Sequence, residues 1–429
     1  SKKLLANLGS SDNAESIRAS AISSLIPLDT NSAAGLAVKC LTSSKEIQSQ
    51  AGIVNAFLQH KGGPDILAKA LADQKLPEDV AKIALRIITG SGRQEPSLTE
   101  AFSKAGNIVN APKILSKEEM AATVAQIKEQ GNAAHGELIF RRAELNCLKC
   151  HAIGGAGGKV GPDLVSIGSS AQIDYLVDSI LDPNKNVKEG YQSVVVATDE
   201  GKIMTGIKVR ETDTDLLLRD VEDREFAIPL KSIEDQKSGT SLMPVGLVDK
   251  LTRSELIDLV KFLSELGKPG PYAAVTARIV RRWETLQPTR ESYRLMFPVS
   301  EKQILPKDND LSWVPVFSAV AGSLPLHDVL DFSTKASPGT SARKIGFVRC
   351  QVNVTTPGNV GFRLNDANDV SMWIDGKPIE PAATMTVPLN VGIHRVTFSV
   401  NLLTRTVPLG FQLIDIEGSK AQAQFLGGK

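Results

Sequence analysis

The sequence predicts a multidomain α+β protein with an N-terminal α-helical solenoid, a mainly α-helical middle domain that carries a small β insertion, and a C-terminal antiparallel β-sandwich. Three observations predict this fold class. Apolar residues follow a helical spacing up to about residue 115. The spacing changes to a period of two within residues 190–240, and again from about residue 269. We therefore expect domains at 1–115, 116–268 and 269–429, with the insertion at 190–240.

Length and composition are typical of a globular protein. The 429 residues allow about three domains of roughly 150 residues. The net charge of +1 argues against a nucleic-acid-binding protein. No stretch approaches the about 18 consecutive apolar residues of a transmembrane helix, and the first ten residues are too polar for a signal segment. Because the chain begins at Ser1, we expect a processed protein or a part of a longer one.

The first 115 residues predict six short helices that stack as three hairpins. Alternate breaks in the helical pattern lie about 33 residues apart. One hairpin cannot bury its own apolar face, so stacking into a small solenoid is expected. The breaks fall near Asn13, Asp29, Ser43, Gly63, Pro77 and Pro96. The segment resembles HEAT-like repeats, which implies a packing scaffold or a partner-binding surface.

Two capping boxes mark the middle domain. Ser116-Lys-Glu-Glu119 starts a helix after a linker at Pro112, and Thr252-Arg-Ser-Glu255 starts a second helix that closes the domain. A capping box satisfies two backbone N–H groups at a helix start, so the residues that follow each box are expected to be helical.

A third helix begins at His135 and runs into a cysteine motif. We expect this helix to cross the closing helix of the domain. Gly136 would let the two backbones approach, while Phe140 and Phe262 would fill the contact.

Two of the four cysteines form the motif Cys147-Leu-Lys-Cys150-His151. In a C-x-x-C-H motif the thiols add to the vinyl groups of a c-type haem and the imidazole ligates the iron. We therefore predict one covalent haem c, held by Cys147 and Cys150, with His151 as the proximal ligand. A structural zinc site or a redox dithiol is the alternative, but no second ligand pair and no βαβ frame accompany the motif. Cys40 is expected to be an inert core thiol, and Cys350 a strand residue.

A glycine-rich segment follows the motif and ends in Gly161-Pro162-Asp163-Leu164. Small residues there, Gly161 among them, would let the backbone approach a porphyrin. The Pro162 carbonyl is the expected acceptor for the second ring nitrogen of His151. A phosphate-binding loop is not expected, because no Gly-Lys-Ser/Thr ending is present.

Met243 is the predicted sixth ligand of the iron, because it lies in a loop before the closing helix. The rivals are Met204, which falls on a strand of the insertion, and His135, which begins a helix. His/Met coordination leaves no open iron position and suits an outer-sphere electron carrier.

Short strands fill the insertion and the C-terminal domain. In the insertion, four or five strands are expected, with a turn at Asp199-Glu-Gly201. After a short helical stretch that contains Arg281, Arg282 and Trp283, the spacing of strands and turns suggests an antiparallel sandwich. Its strand candidates are Lys344–Val354, Val360–Leu364, Ser371–Ile374, Thr384–Pro388, His394–Val400 and Leu409–Ile416.

The middle domain resembles the haem-binding domain of planctomycete and verrucomicrobial proteins, a class I cytochrome c relative. The resemblance covers Gly136 to Gly267 and implies an α-helical cytochrome c domain with a β insertion. In such proteins the domain often follows HEAT-like repeats and a sugar-dehydrogenase-like β-propeller, so the resemblance implies that this chain is the C-terminal portion of a larger oxidoreductase. The residues that carry it include Phe140, Cys147-x-x-Cys150-His151, Gly154-Gly155, Gly157-Gly158, Val160-Gly161-Pro162-Asp163-Leu164, Tyr175-Leu176, Pro183-Asn184, Gly190-Tyr191 and Ser241-Leu242-Met243-Pro244.

The last domain resembles a lectin-type jelly roll of the protective-antigen or galactose-binding kind, on the segments 362–377 and 389–394. The resemblance implies glycan or calcium contacts at Asp366, Asp369 and Trp373. Asp375-Gly376 is equally a hairpin turn, Trp373 is equally a core residue, and such sandwiches also act as spacers.

The sequence thus predicts an extracytoplasmic, periplasmic c-type cytochrome module. It would relay single electrons from a carbohydrate-oxidising dehydrogenase to a respiratory acceptor, such as a cytochrome or oxidase, without independent catalysis. An excess of acidic residues in the middle domain suits a basic redox partner or is simply a solvated face. The alternatives are a haem peroxidase-like or gas-sensing protein with an open iron site, and a carbohydrate-binding adaptor with a subsidiary haem.

Overall fold

The computed structural model describes residues 2–10, 13–91, 95–109, 113–274, 277–296, 311–334 and 343–427. In these ranges the protein is multidomain α+β, with helices and three antiparallel sheets. It divides into two compact units. The first contains Ser1–Leu145, Ala171–Lys208 and Pro229–Ser264, and the second contains Asn146–Ser170, Val209–Ile228 and Glu265–Lys429. The three-domain division stays a prediction, and the linker expected at Pro112 lies outside the described residues.

Short helices occupy the beginning of the first unit. They are α1 (Lys2–Leu8), α2 (Glu15–Leu25), α3 (Thr30–Ser43), α4 (Ile47–Leu58), α5 (Gly63–Leu71), α6 (Glu78–Gly90) and α7 (Pro96–Ala105). One helix follows each of the six expected breaks. Helices α2, α4 and α6 pack in one row, and α3, α5 and α7 in a second. The rows share one core, in which Ile22, Leu41, Phe57, Leu67 and Phe102 are buried.

Longer and shorter helices follow: α8 (Lys117–Gln130), α9 (Ala133–Phe140), α10 (Cys147–Cys150), α11 (Ile167–Ser170), α12 (Ile173–Leu181) and α13 (Arg253–Glu265). Both expected capping boxes are present. The N–H of Glu119 donates to Ser116 Oγ at 3.1 Å, and the N–H of Ser116 donates to the Glu119 carboxylate at 2.8 Å. The corresponding distances between Thr252 and Glu255 are 3.3 and 2.9 Å.

Helices α9 and α13 cross at Gly136, as expected. A Cβ at Gly136 would lie 2.6 Å from the Cβ of Phe262 and would also clash with the backbone of Asp258. The rings of Phe140 and Phe262 lie 5.8 Å apart, centroid to centroid. Only glycine therefore permits this crossing.

The insertion contains five strands, β1 (Ser193–Thr198), β2 (Ile203–Glu211), β3 (Asp215–Arg219), β4 (Glu225–Pro229) and β5 (Ile233–Ser238). In the first unit, β1 lies between β2 and β5 and is antiparallel to both. In the second unit, β3 and β4 are neighbours. The expected turn after β1 is closed by the N–H of Gly201, which donates to the carbonyl of Thr198 at 2.8 Å.

The rest of the second unit is mostly sheet. Its elements are β6 (Arg282–Leu286), α14 (Arg290–Met296), β7 (Trp313–Phe317), β8 (Ser323–Leu324), β9 (Asp331–Thr334), β10 (Arg343–Thr356), β11 (Gly358–Leu364), β12 (Val370–Ile374), β13 (Lys377–Ile379), β14 (Thr384–Leu389), β15 (Gly392–Asn401), β16 (Leu409–Ile414) and β17 (Gln422–Phe425). One sheet has the order β13-β12-β15-β10-β6-β7, with β9 and β17 also paired to β10, and the other has the order β14-β11-β16-β8. Residues of both sheets share one core, including Trp283, Val348, Phe362, Phe398 and Phe411.

One expectation for this region is wrong. The stretch with Arg281, Arg282 and Trp283 is not helical, since β6 begins at Arg282 and pairs with β7 and β10. Trp283 and Thr285 are buried and alternate with the more exposed Arg282 and Glu284, which is the pattern of a strand. Among the described residues, no helix is both long and apolar enough to cross a membrane.

Candidate functional site

The cysteine motif forms a single helical turn. Asn146 has a φ of 56°, in the left-handed region, and α10 starts immediately after it. The turn closes where the N–H of His151 donates to the carbonyl of Cys147 at 2.8 Å. Residues three apart lie on the same face of a helix, so Cys147 and Cys150 share a face and His151 follows directly. Both thiols are half-buried, and none of the four cysteines, all within the described residues, forms a disulfide.

The imidazole of His151 is held in one orientation. Its Nδ1–H donates to the carbonyl of Pro162 at 2.9 Å, as expected. Since Nδ1 carries the proton, Nε2 presents the lone pair that binds a metal. Burial lowers the pKa of His151. The hydrogen bond to the Pro162 carbonyl opposes this shift but does not cancel it, so the pKa stays below its ordinary value. Neutral imidazole is the form that ligates iron.

The space beside the imidazole admits no side chain. A Cβ at Gly161 would lie 2.6 Å from Nδ1 and 2.9 Å from Nε2 of His151. The N–H of Gly161 donates to the carbonyl of Cys150 at 2.8 Å, which fixes this glycine to the cysteine turn. Glycine at this position therefore allows the backbone to lie flat against the ring.

Asp163 organises the loop that carries Pro162. Its carboxylate accepts from the N–H groups of Gly154, Gly155 and Val165, each at 2.9 Å. Gly154 and Gly155 have φ values of 60° and 82°, which glycine adopts at little cost. The loop is thereby closed on itself immediately next to the acceptor for His151.

The turn between β3 and β4 contacts the same segment. Glu222 forms an ion pair with Lys149, the residue before Cys150, at 2.9 Å. Arg219 donates to the carbonyl of Lys159 at 2.9 Å, and the N–H of Lys159 donates to Asp223 at 3.3 Å. The spacing of charges in the sequence did not indicate these contacts.

The other predicted site residues belong to the first unit. Phe140 is buried at the crossing described above. Met243 is half-buried in the segment after β5, where its N–H donates to Ser241 Oγ at 3.2 Å. The N–H of Ser241 in turn donates to Asn184 Oδ1 at 2.9 Å, which tethers this segment.

The two rivals of Met243 also belong to the first unit. Met204 lies in β2 opposite Val196. His135 Nδ1 lies 2.7 Å from Asp258 Oδ2.

The remaining cysteines lie in core positions. Cys40 and Cys350 are buried, and burial raises the pKa of both thiols. Neither is prepared for reaction, because the thiolate is the reactive form.

In the second unit, Trp373 is only 1% exposed, which favours its alternative interpretation as a core residue. Asp369 accepts from Thr404 Oγ1 at 2.6 Å, and Asp366 accepts from the N–H of Asn368 at 2.9 Å. Asp375 and Gly376 have φ values of 51° and 79° and form the turn between β12 and β13.

No protein-family model matches the chain, and no curated protein matches it. Within the described ranges, no group of three or more His, Cys, Asp and Glu side chains is arranged to hold a metal ion.

Proposed function

We propose that this protein is an extracytoplasmic c-type cytochrome module that carries one covalently attached haem c and relays single electrons. The proposal is carried by His151, whose tautomer is fixed by Pro162 directly after a turn that presents two thiols on one face. Gly161 adds support, because any side chain there would displace the imidazole. These residues fit the demands of covalent haem attachment better than those of a dithiol site, which has no use for an oriented imidazole.

Each residue has a distinct role in this proposal. Cys147 and Cys150 form the thioethers, and His151 Nε2 is the proximal ligand. The haem supplies a one-electron redox centre when it is bound. The Pro162 carbonyl orients the imidazole and increases its basicity, which strengthens it as a ligand. Met243 would supply the sixth ligand of the iron, and Phe140 and Gly161 are the further residues that the sequence assigns to cofactor binding.

The surrounding elements support a finer domain assignment. The two rows of α2–α7 suit a HEAT-like solenoid, because alternate helices pack on one another. The crossing of α9 and α13 suits a class I cytochrome c domain of the resembled family. The two sheets over one core suit a lectin-like β-sandwich that acts as a spacer or a glycan-binding module.

The proposed partners are a carbohydrate-oxidising dehydrogenase as donor and a respiratory acceptor. The module would meet both through small, transient interfaces, as electron-transfer proteins commonly do. The proposed location is the periplasm or an equivalent compartment, because haem c is attached outside the cytoplasm.

The first test is expression, with an export signal fused before Ser1, in a host with a c-type cytochrome maturation system. The wild-type chain is expected to retain its haem through denaturation and acid–acetone extraction, with one haem per chain in a pyridine haemochrome spectrum. The double variant Cys147→Ala/Cys150→Ala is expected to lose covalent haem. Cys40→Ala and Cys350→Ala, which remove the two buried thiols, are matched controls and are expected to keep it. A wild-type chain that leaves such a host without covalent haem would overturn the proposal.

The second test separates electron transfer from chemistry at the iron. Met243→Ala is expected to abolish the weak far-red band of a methionine-ligated ferric haem, whereas Met204→Ala is expected to keep it. A wild-type protein that lacks the band and readily takes up carbon monoxide would instead favour a peroxidase-like or gas-sensing protein.

A further inference from the structure

A cation from outside the haem-binding segment packs on its glycine-rich loop. Arg281 directly precedes β6 in the chain, and both Arg281 and the loop belong to the second unit. The Arg281 Cζ and Nε atoms lie 3.8 and 3.9 Å from the position that a Cβ of Gly154 would occupy. The guanidinium group is thus within van der Waals reach of the space beside Gly154.

The guanidinium group is held from its other side by backbone carbonyls. Its Nη1–H donates to the carbonyl of Val320 at 3.1 Å and to that of Ala319 at 3.4 Å. The carbonyl of Arg281 accepts from the N–H of Ser318 at 3.0 Å, so the segment 318–320 fixes both the backbone and the head of the arginine. Both of these acceptors are neutral carbonyls.

The loop carries a negative charge that acts on Arg281, that of Asp163. Burial lowers the pKa of the Arg281 guanidinium, and the charge of Asp163 opposes that shift. Asp163 is the carboxylate that accepts the N–H groups of Gly154 and Gly155. The arginine therefore attracts the anion at the centre of the loop while it packs near Gly154.

A short series of contacts joins Arg281 to His151. Asp163 directly follows Pro162, whose carbonyl accepts the Nδ1–H of His151 at 2.9 Å. If the loop opens, the Pro162 carbonyl is released from the imidazole. Any residue that keeps the loop closed also keeps the imidazole oriented.

We infer that Arg281 is a positioning residue for His151, and that the segment beyond the predicted haem-binding domain thereby completes the haem site. This inference rests on the proposed function and deepens it. Arg281 belongs to the segment that the sequence predicts to be part of the C-terminal sandwich, and the inference gives this residue a structural role at the haem.

The first test measures the opening of the loop by hydrogen–deuterium exchange in the intact 429-residue chain. Arg281→Met is expected to speed exchange in peptides that cover 152–165 by about tenfold, because a charge-assisted restraint is lost. Arg281→Lys keeps the charge but cannot match the planar guanidinium, so an intermediate increase is expected. The control is Arg282→Met, since the Arg282 guanidinium lies over the Phe317 ring at 5.8 Å from its centroid. Unchanged exchange in both Arg281 variants would overturn the inference.

The second test measures the haem. Arg281→Lys retains the positive charge, so the main effect on the haem should come from a weaker hydrogen bond between His151 Nδ1 and the Pro162 carbonyl. A weaker hydrogen bond makes the imidazole less basic, and a less basic imidazole stabilises the ferric state less. The reduction potential of the haem is therefore expected to rise. Faster loop exchange with an unchanged potential would overturn the link to His151.

Failure of the proposed function gives a different result. A wild-type chain without covalent haem would show that the proposed function is wrong. In that case the exchange rate of the His151 Nδ1 proton, instead of the reduction potential, measures how firmly the imidazole is positioned. An unchanged rate for that proton in both Arg281 variants would overturn the inference in the haem-free protein.

Discussion

Two glycines of the proposed haem domain lie at positions where any side chain would collide with a neighbouring group. At Gly161 the neighbour is the imidazole of His151, and at Gly136 it is the backbone and side chain of another helix. Gly35, in the exposed interior of α3, has nothing within 4 Å of its potential Cβ. The same Gly→Ala change is therefore favourable or unfavourable according to what the new methyl group meets.

We expect Gly136→Ala to destabilise the protein by about 1–3 kcal/mol, because α9 and α13 would be forced apart. Gly35→Ala is the matched control and is expected to stabilise it by about 0.5–1 kcal/mol, because alanine is the better helix former. Urea unfolding followed by circular dichroism measures both changes. Equal effects of the two substitutions would contradict this account of the crossing.

Glu255 is a buried carboxylate at the start of α13. It is 5% exposed and pairs with Arg86 at 2.8 Å and Arg142 at 2.7 Å. Burial acts to raise its pKa, but the N–H of Thr252 and the two guanidinium groups outweigh burial and hold the pKa below the ordinary 4.5. A group with a lowered pKa stabilises the fold above its unfolded value, and this stabilisation is lost as the pH falls through the folded value.

We expect Glu255→Gln to cost about 3 kcal/mol at neutral pH, because it leaves two cations near a buried site without their anion. The difference from wild type should shrink as the pH falls below 4.5. Chemical unfolding at several pH values measures this dependence. The control is Glu200→Gln, whose exposed ion pair with Lys202 should contribute nothing measurable. A difference that persists at low pH would contradict the role of the charge.

At the scale of elements, local patterns predicted most of the helices and strands. The six helices after the expected breaks and the six C-terminal strand candidates are present. Strand β6 was missed because Ile279, Val280, Trp283 and Leu286 also follow a helical spacing. Pairing with β7 and β10 decides in favour of the strand, and that pairing depends on residues far away in the chain. Strands β8 and β13, of two and three residues, are too short to give a periodic signal.

A histidine joins two turns of the sheets. His394 Nδ1 lies 2.7 Å from Asp375 Oδ2, in the turn after β12, and its Nε2 lies 2.8 Å from the carbonyl of Asn390. A neutral imidazole has one N–H and cannot donate to both acceptors, whereas imidazolium can. Burial acts to lower the pKa of His394, but the two acceptors outweigh it and raise the pKa above 6.5.

We therefore expect NMR titration of His394 to give a pKa above 6.5, and Asp375→Asn to lower it. A raised pKa stabilises the folded state fully below 6.5, and this contribution is lost as the pH rises through the folded value. The stability of wild type relative to His394→Gln should accordingly decline as the pH rises above 6.5. A pKa that Asp375→Asn leaves unchanged would argue against the contact.

At the scale of the whole molecule, two separate cores stabilise the two ends of the chain. The helical core includes Phe57, and the sheet core includes Phe362, which stacks on Phe411 with centroids 5.1 Å apart. Among the residues that the structure describes, none belongs to both cores. All three tryptophans follow residue 282, so tryptophan fluorescence reports on the sheet core and not on the helical one.

We expect Phe362→Ala to destabilise the fluorescence-detected transition by about 3–5 kcal/mol. Phe57→Ala is the matched control, and it should shift the helical circular dichroism while it leaves the fluorescence transition in place. Both are measured in one denaturant series with two probes. A shift of the fluorescence transition by Phe57→Ala would show that the cores unfold together.

Contacts in the candidate site could be predicted from the sequence where the residues lie close together in the chain. His151, Gly161 and Pro162 lie within one short stretch, so spacing and residue type were enough to predict their contact. The contributions of Arg281 and Glu222 come from distant segments and have no local signal. Their positions depend on how sheets and turns assemble, which a linear pattern does not encode.

The burial of Cys40 and Cys350 has a practical consequence for work on the protein. With the two motif thiols consumed in thioethers, the mature chain would present no thiol that reacts readily with a maleimide or a gold surface. A single cysteine introduced at an exposed position would then be the one point of chemical attachment. The protein could be attached to an electrode or labelled with a fluorophore in a chosen orientation, without the removal of either buried native cysteine.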